Sequence, residues 1–152
     1  MMKHLLYKLK FLPVLFICLS LYLSGQDKGD NLHHQKVDGE TPKAIFTKIE
    51  EGFNTGDVEK FAKFFSSQTY ASLKDGVSGY YSPNQFFFIL QNYFSVYKPI
   101  NFRFVTSDDK SDNPYAAGYF KYEVKGVRKS SQVYISLKVI GNSWKISHIS
   151  IN

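Results

Sequence analysis

The stretch SPNQFFFILQNYFSVYKP, residues 82–99, decides the fold of this 152-residue chain. Ser82 is a favourable helix cap, Pro83 suits the first helical position, and Gln85 completes a capping box. Pro99 ends the helix, because proline cannot donate the next helical hydrogen bond. A helix this apolar must be covered on most sides. Its apolar residues recur at helical spacing: Phe86, Phe87, Ile89, Leu90, Tyr93, Phe94 and Tyr97.

The hydrophobic period changes after Pro99 from helical spacing to the alternation that is typical of strands. Gly141-Asn142 provides a late hairpin turn, and Lys74-Asp75-Gly76 marks an earlier turn inside a predicted strand pair over residues 68–81. This order predicts an α+β domain, in which three helices pack on one face of a curved antiparallel sheet. Its four long strands are predicted over residues 100–105, 119–125, 132–139 and 144–151.

Two helices are predicted before this strand pair. The first begins at Thr41, with Pro42 behind it, and ends at Asn54-Thr55-Gly56. Asp57 is predicted to cap the second helix, whose buried stripe is Val58, Phe61, Ala62 and Phe65. Periodicity places three acids on exposed helix faces, namely Glu50, Glu51 and Glu59.

The N-terminal residues 1–25 resemble a secretory signal peptide, because a positively charged start precedes an apolar run over residues 11–23. This run is too short for a comfortable membrane span, which takes roughly 20 apolar residues. Cleavage is predicted near Gly25, with an uncleaved anchor as the alternative. Residues 26–41 are polar and predict a flexible linker, so the folded domain is predicted to span residues 42–152 of an exported, periplasmic or secreted protein.

Charge and cysteine content limit the function classes. The formal net charge is +6, from 19 basic and 13 acidic residues. Cleavage removes Lys3, Lys8 and Lys10, which leaves 16 basic against 13 acidic residues, or +3. So small an excess argues against a nucleic-acid partner. Cys18, the only cysteine, lies in the predicted signal peptide, so the mature chain is predicted to lack disulfides and thiol chemistry.

Two segments resemble a known superfamily. Residues 53–65, FNTGDVEKFAKFF, resemble the first helical turn motif of the nuclear-transport-factor-2-like proteins, and residues 141–146, GNSWKI, resemble their closing hairpin. More narrowly, residues 45–152 resemble the exported bacterial family called domain of unknown function 4783, including Gly79-Tyr80-Tyr81-Ser82 and Gln91-Asn92-Tyr93-Phe94. The resemblance implies a cone-shaped fold, in which a curved sheet wraps around helices and leaves a pocket at the wide end. It implies no activity, because the superfamily hosts enzymes, adaptors and ligand binders alike.

The aromatic content predicts a binding pocket inside this cone, since the chain holds 14 Phe and 11 Tyr. The alternative is that these rings simply fill the core. The predicted pocket residues are Phe53, Phe61, Phe94, Tyr97 and Phe104, with Trp144 near the mouth and His148 as a further candidate.

His148 has two predicted orientations. Simple alternation along the last strand places its imidazole on the pocket side. A β-bulge near Ser147 would instead turn His148 away and bring onto one face Trp144, Ile146, Ile149 and Ile151. Catalysis by His148 also needs an orienting carboxylate, and the sequence offers no obvious partner.

Other polar groups predict surface roles. Lys121, Lys125, Arg128 and Lys129 form a basic strip that suits either an anionic polymer or lipid head group, or simply a solvated sheet face. Tyr119 and Tyr134 predict a homodimer surface on the outer sheet face.

These patterns favour a non-catalytic domain that binds a small apolar or amphipathic ligand in an aromatic pocket. The alternative is an interaction or dimerising module that uses the outer sheet face, and an enzyme ranks third. No nucleotide loop, nucleophile elbow or zinc helix occurs in the sequence. No cofactor, metal, nucleic acid or stable membrane span after signal cleavage is therefore predicted.

Overall fold

The computed structural model describes residues 37–152, so the predicted signal peptide (1–25) and most of the predicted linker lie outside the described residues. Within the described part, no helix is long and apolar enough to cross a membrane. The elements follow in the order α1 (Pro42–Thr55), α2 (Glu59–Ala62), β1 (Phe65–Leu73), β2 (Ser78–Tyr81), α3 (Pro83–Val96), β3 (Lys98–Asp108), β4 (Tyr115–Val124), β5 (Val127–Ile140) and β6 (Ser143–Ile151).

The six described strands form one sheet in the order β2-β1-β6-β5-β4-β3, which confirms the predicted α+β class. Neighbouring strands run antiparallel at every pair except one. β1 and β6 pair in parallel, with Tyr70 beside His148, so the prediction of a wholly antiparallel sheet is wrong there. Apolar alternation specifies the buried face of a strand but not its direction. A parallel pair needs a long crossover connection, which α3 and four strands provide here.

The predicted central helix forms as α3. The Gln85 Oε1 atom accepts from the Ser82 backbone N–H at 3.0 Å and from the Ser82 hydroxyl at 2.9 Å, which fixes the first turn. The helix ends at Val96, and Pro99 already lies in β3. Its side chains that are buried against the sheet and the other helices are Phe86, Leu90, Tyr93 and Phe94.

The second helix is much shorter than its periodicity predicts. α2 is a single turn, and Phe65, predicted to complete its buried stripe, is the first residue of β1. The Ile146 N–H donates to the Phe64 carbonyl at 2.6 Å, and Phe65 pairs with Ile146. Sheet pairing with β6 therefore replaces the next helical turn. Phe65 remains buried, but it reaches the core from a strand.

Helix α1 closes one edge of the sheet through two polar side chains. The Asn54 Nδ2 group donates to the Phe102 carbonyl at 2.8 Å, and Asn54 Oδ1 accepts from the Phe102 N–H at 2.7 Å. One turn earlier in α1, Glu50 Oε2 accepts a hydrogen bond from the Phe104 N–H at 3.0 Å. β3 is an edge strand, and these bonds satisfy backbone groups that no further strand pairs. The prediction that Glu50 lies on an exposed face is wrong, because its half-buried carboxylate binds this edge.

The position of Asn54 follows from the end of α1. Gly56 adopts a left-handed conformation, with φ of 69°, and its N–H donates to the Gly52 carbonyl. This turn ends the helix two residues after Asn54 and sends the chain back along the core. The Asn-Thr-Gly sequence thus supplies both the helix end and the group that binds the sheet edge.

We expect Asn54→Ala to lower the free energy of unfolding by about 2–3 kcal/mol, because it removes both side-chain hydrogen bonds with Phe102 and leaves the Phe102 backbone groups unpaired. Urea unfolding measures the change. Asn101→Ala on the same strand is the matched control, since Asn101 is exposed and its loss should change stability by less than about 0.5 kcal/mol. Equal losses in the two variants would contradict the edge-binding role of Asn54.

Candidate functional site

Three of the predicted pocket residues lie in the packed core. Phe53 and Phe61 are 0% exposed, and Phe94 is 5% exposed. The Phe53 ring centroid lies 4.7 Å from that of Phe102 and 5.0 Å from that of Phe94. Since a ring without accessible surface leaves no room for water beside it, Phe53 and Phe61 fill the interior and do not border an open cavity.

The other predicted residues occupy separate environments. Phe104 is half-buried, packs edge-on against Phe46 at 5.7 Å, and lines a surface groove between α1 and β3. Trp144 is half-buried and packs at the margin of the core. Tyr97 caps the C-terminal end of α3. The structure therefore does not bring the seven predicted residues together around one cavity.

His148 lies on the sheet face opposite the helices. The register of β5 and β6 shifts where Ser136 pairs with His148 and Leu137 pairs with Ile146, which leaves Ser147 as the extra residue of a β-bulge. Of the two predicted orientations, the structure has the bulged one. His148 is thereby turned away from the predicted pocket, and the side chains beyond and before the bulge, Ile149 and Ile146, are both buried.

On this outer face, side chains from five strands form a continuous line of rings, here called the aromatic row. The His148 ring centroid lies 5.1 Å from that of Tyr70 and 5.6 Å from that of Tyr134. Tyr70 contacts Tyr80 at 5.1 Å, and Tyr134 stacks on Tyr115 at 5.9 Å. The Tyr80 side chain is 69% exposed. The row thus presents aromatic surface to solvent while it encloses His148.

The imidazole of His148 lies half-buried in the middle of the aromatic row. Its Nε2 atom is buried and has no hydrogen-bond partner among the described residues. Burial lowers the pKa of His148 below its ordinary value of 6.5, because the charged form loses water. The imidazole is therefore neutral near pH 7 and behaves as an aromatic spacer between two tyrosines.

A polar cluster lies inside the cone, and Tyr97 is the one member of it that was among the predicted site residues. The tyrosine cluster consists of Tyr93, Tyr97, Tyr122 and Ser131. Tyr93 is 1% exposed, stacks on Tyr97 at 4.4 Å, and its hydroxyl has no partner among the described residues. Tyr97 packs edge-on against Tyr122 at 5.2 Å, and the Tyr122 hydroxyl lies 3.4 Å from Ser131 Oγ.

The environment of Tyr93 makes it a hydrogen-bond donor. Burial raises the pKa of Tyr93 strongly, and the nearby hydroxyls of Tyr122 and Tyr97 add to this shift. The phenol therefore stays protonated and suits binding of an acceptor rather than proton abstraction. The one sequence signal for Tyr93 was its place on the apolar stripe of α3, which predicts burial but not an unpaired hydroxyl.

Residues 37–152 hold no cluster of His, Cys, Asp and Glu that suits a metal ion. His148 likewise has no carboxylate among its described contacts. Taken together, the described geometry defines a curved α+β domain with a buried aromatic interior, an unpaired phenol inside and an aromatic row outside.

Comparison with solved structures places this architecture among the nuclear-transport-factor-2-like and cystatin-fold proteins. One neighbour is a hypothetical protein with a ketosteroid isomerase-like fold from Catenulispora acidiphila, solved in complex with trimethylamine. It is 11% identical, has a TM-score of 0.58, and the match covers 74% of this chain and 86% of that chain. At this identity the likeness concerns the fold. Such a fold with a buried aromatic cluster is compatible with ligand binding.

The family is narrower than this class. The family model described as "Domain of unknown function (DUF4783)" matches residues 46–152, and the chain belongs to this family. A DUF4783 protein from Bacteroides uniformis is 13% identical, with a TM-score of 0.63 and coverage of 70% of this chain and 94% of that chain. One from Bacteroides ovatus is 15% identical, with a TM-score of 0.60 and coverage of 77% and 94%. Curated protein sequences give no match.

We expect the stability of the domain to fall as the pH drops below about 6.5. Because the folded-state pKa of His148 is lowered, the unfolded chain takes up the proton first, and stability is lost from 6.5 down through the folded-state pKa. Urea unfolding at pH 7.5, 6.5 and 5.5 measures the slope. His148→Gln should flatten it, and an unchanged slope in this variant would contradict the prediction.

Proposed function

We propose that this protein is an exported, non-catalytic domain that binds a small, mainly apolar ligand with one hydrogen-bond acceptor. The observation that carries the proposal is the buried, unpartnered hydroxyl of Tyr93. A buried polar group without a partner costs about 1–3 kcal/mol, and such groups are few in native proteins. A carbonyl, ether or carboxylate oxygen of a ligand would recover this energy.

The surroundings of Tyr93 support an apolar ligand body. The side chains next to it are aromatic, and the tyrosine cluster holds two further buried hydroxyls, those of Tyr122 and Ser131. Ligand sites commonly combine such an apolar lining with a few oriented polar groups. Of the predicted site residues, this proposal retains Tyr97, and it replaces the buried Phe53 and Phe61 by Tyr93 and Tyr122.

Tyr97 is the residue that would control ligand entry to the proposed site. Its half-buried ring stacks on Tyr93 and lies at the C-terminal end of α3, where no further helical turn restrains it. In the described conformation the Tyr93 hydroxyl is closed off from solvent. Ligand uptake therefore requires the Tyr97 ring to move. Movement of a ring at the end of a helix costs less energy than movement of a ring in the phenylalanine-packed interior.

The protonation state of Tyr93 and the surroundings of His148 support a non-catalytic role. A raised pKa keeps Tyr93 from acting as a base, and the described contacts of His148 are aromatic rings. Among similar structures, one is a complex with trimethylamine and one is AclR, a putative hydroxylase from Streptomyces galilaeus. The fold thus carries both kinds of role, and the residues of this chain favour binding.

We expect Tyr93→Phe to weaken ligand binding several-fold while it leaves the melting temperature unchanged or higher, because the variant removes an unpaired hydroxyl and keeps the ring. The probe is 8-anilinonaphthalene-1-sulfonate, an apolar molecule with an acceptor group, titrated by fluorescence. Native mass spectrometry of the same preparation detects a retained small molecule and reports whether residues 1–25 have been removed. Tyr119→Phe, a change at a 53% exposed ring on the outer face, is the control.

Identical probe binding by wild type and Tyr93→Phe would contradict the proposed site. A wild-type protein that retains no small molecule and takes up no probe would contradict ligand binding as such. A loss of melting temperature in Tyr93→Phe would mean that the hydroxyl has a structural partner.

The aromatic row favours a second candidate function, self-association through the outer sheet face. The row consists of four tyrosines and the neutral imidazole of His148 and contains no Lys, Arg, Asp or Glu, so two copies can meet without electrostatic repulsion. Tyrosine is enriched in protein interfaces, where its ring is buried and its hydroxyl finds a partner. A second copy of this chain is therefore the occupant that suits this face.

We expect wild-type protein to dimerise with rising concentration in sedimentation experiments, and Tyr80→Ser/Tyr134→Ser to remain monomeric. Both rings are exposed, at 69% and 38%, so the double variant should fold normally. Phe88→Ser removes a 65% exposed ring from α3 and serves as the control. A monomeric wild type at high concentration would exclude this second function.

A further inference from the structure

Five positively charged side chains lie at one end of the sheet, on the β4–β5 hairpin and at the neighbouring start of β3. Lys98, Lys121, Lys125, Arg128 and Lys129, here called the basic hairpin end, are all exposed. Register places Lys98 beside Glu123, and Glu123 beside Arg128. Glu123 is the one acid in this part of the hairpin, so five cations face a single carboxylate.

Within residues 37–152, these cations take part in no ion pair. The ion pairs formed within residues 37–152 join Lys48 to Glu51, Lys60 to Asp57, and Lys63 to Glu40. None includes a cation of the basic hairpin end. Unpaired charges of one sign repel each other, so the cluster opposes folding slightly, and a bound anionic partner would relieve this repulsion.

The cations surround a groove with an apolar border. A groove of about 600 Å³ lies among Ile100, Asn101, Lys121, Arg128, Lys129 and Ser130. Ile100 is 44% exposed, and Val127, next to Arg128, is 53% exposed. Exposed aliphatic side chains beside cations suit an interface with both charge and hydrocarbon, which a soluble polyanion does not offer.

The turn itself holds a lysine in a strained conformation. Lys125 has φ of 52° and Gly126 has φ of 74°, which corresponds to a two-residue hairpin turn with both residues left-handed. Asparagine or glycine fits the first position with less strain than lysine. Lysine at the hairpin tip therefore adds a positive charge at the expense of turn stability.

From these observations we propose that the basic hairpin end docks on the surface of an anionic phospholipid bilayer. The five cations lie against the head groups, Val127 enters the interface at the tip, and the groove beside Ile100 takes one phosphate-bearing head group. Basic residues near an anionic membrane attract it additively, and shallow apolar insertion adds to this attraction. This docking is independent of the ligand proposed at Tyr93.

The test compares vesicles of phosphatidylcholine containing phosphatidylglycerol with vesicles of phosphatidylcholine alone. The full chain is expressed and purified as the host processes it, and intact mass establishes a common N-terminus for all variants. The readout is the ratio of partitioning onto the two vesicle types, to which any apolar leader contributes equally. We expect a ratio well above one, which falls as salt is added because the attraction is screened.

Three variants separate the contributions. Lys125→Asn/Arg128→Gln should lower anionic-vesicle binding about 30-fold, since each basic residue contributes about fivefold at such a surface. Its melting temperature should not fall, because asparagine fits the turn better than lysine. Val127→Ser should lower vesicle binding about fivefold through lost apolar contact. Lys74→Gln/Lys110→Asn removes the same charge from two other exposed loops and should leave binding within twofold.

Equal partitioning of the wild type onto both vesicle types would overturn the proposal. Undiminished binding by Lys125→Asn/Arg128→Gln would overturn it as well. Soluble polyphosphate is the discriminating competitor. If it binds as tightly as the anionic vesicles, and Val127→Ser leaves vesicle binding unchanged, the cluster is a soluble-polyanion site and membrane docking is wrong.

Discussion

The contact between the Asn54 side chain and the backbone of Phe102 is the constraint on which the rest of the structure depends. It joins α1 to β3 by two hydrogen bonds, at 2.8 and 2.7 Å, and satisfies an edge strand that would otherwise remain open. With that edge fixed, the Phe53 ring packs tilted against that of Phe102 and lies at the centre of the buried rings. The polar edge contact and the aromatic interior therefore stabilise one another, because each holds α1 in the position that the other requires.

The interior is divided by chemistry. Around Phe53 the rings pack edge to face and tilted, at centroid distances of 4.7 to 5.9 Å, and leave no accessible surface on the central ring. Around Tyr93 the rings carry hydroxyls, and one of them lacks a partner among the described residues. Close packing gives the first region its stability, whereas the second region has an unmet hydrogen bond. A site for a ligand is more compatible with the second region for this reason.

The outer surface is divided in the same way. The aromatic row across the middle of the sheet is neutral, since burial keeps the imidazole of His148 uncharged. The basic hairpin end carries exposed cations without ion-pair partners in residues 37–152. Neutral aromatic surface suits a protein partner, and positive charge with exposed Val127 suits an anionic lipid surface. The aromatic row and the basic hairpin end can therefore act at the same time without competing for one partner.

Local sequence determined the elements whose signals lie within a few residues. The capped helix over residues 83–96, the change of period after Pro99 and the end of α1 at Gly56 all depend on nearby side chains, and all were predicted. Tertiary structure decided what depends on distant neighbours. Phe65 lies in β1 because it pairs with Ile146 in the sheet. β6 runs parallel to β1, which the sequence could not predict because apolar alternation carries no information on strand direction. The bulge at Ser147 turned His148 outward, since only the pairing of β6 with its neighbours chooses between two registers that alternation alone leaves open. The unpaired hydroxyl of Tyr93 could not be predicted either, because burial follows from periodicity but a missing hydrogen-bond partner is a property of the whole packed interior.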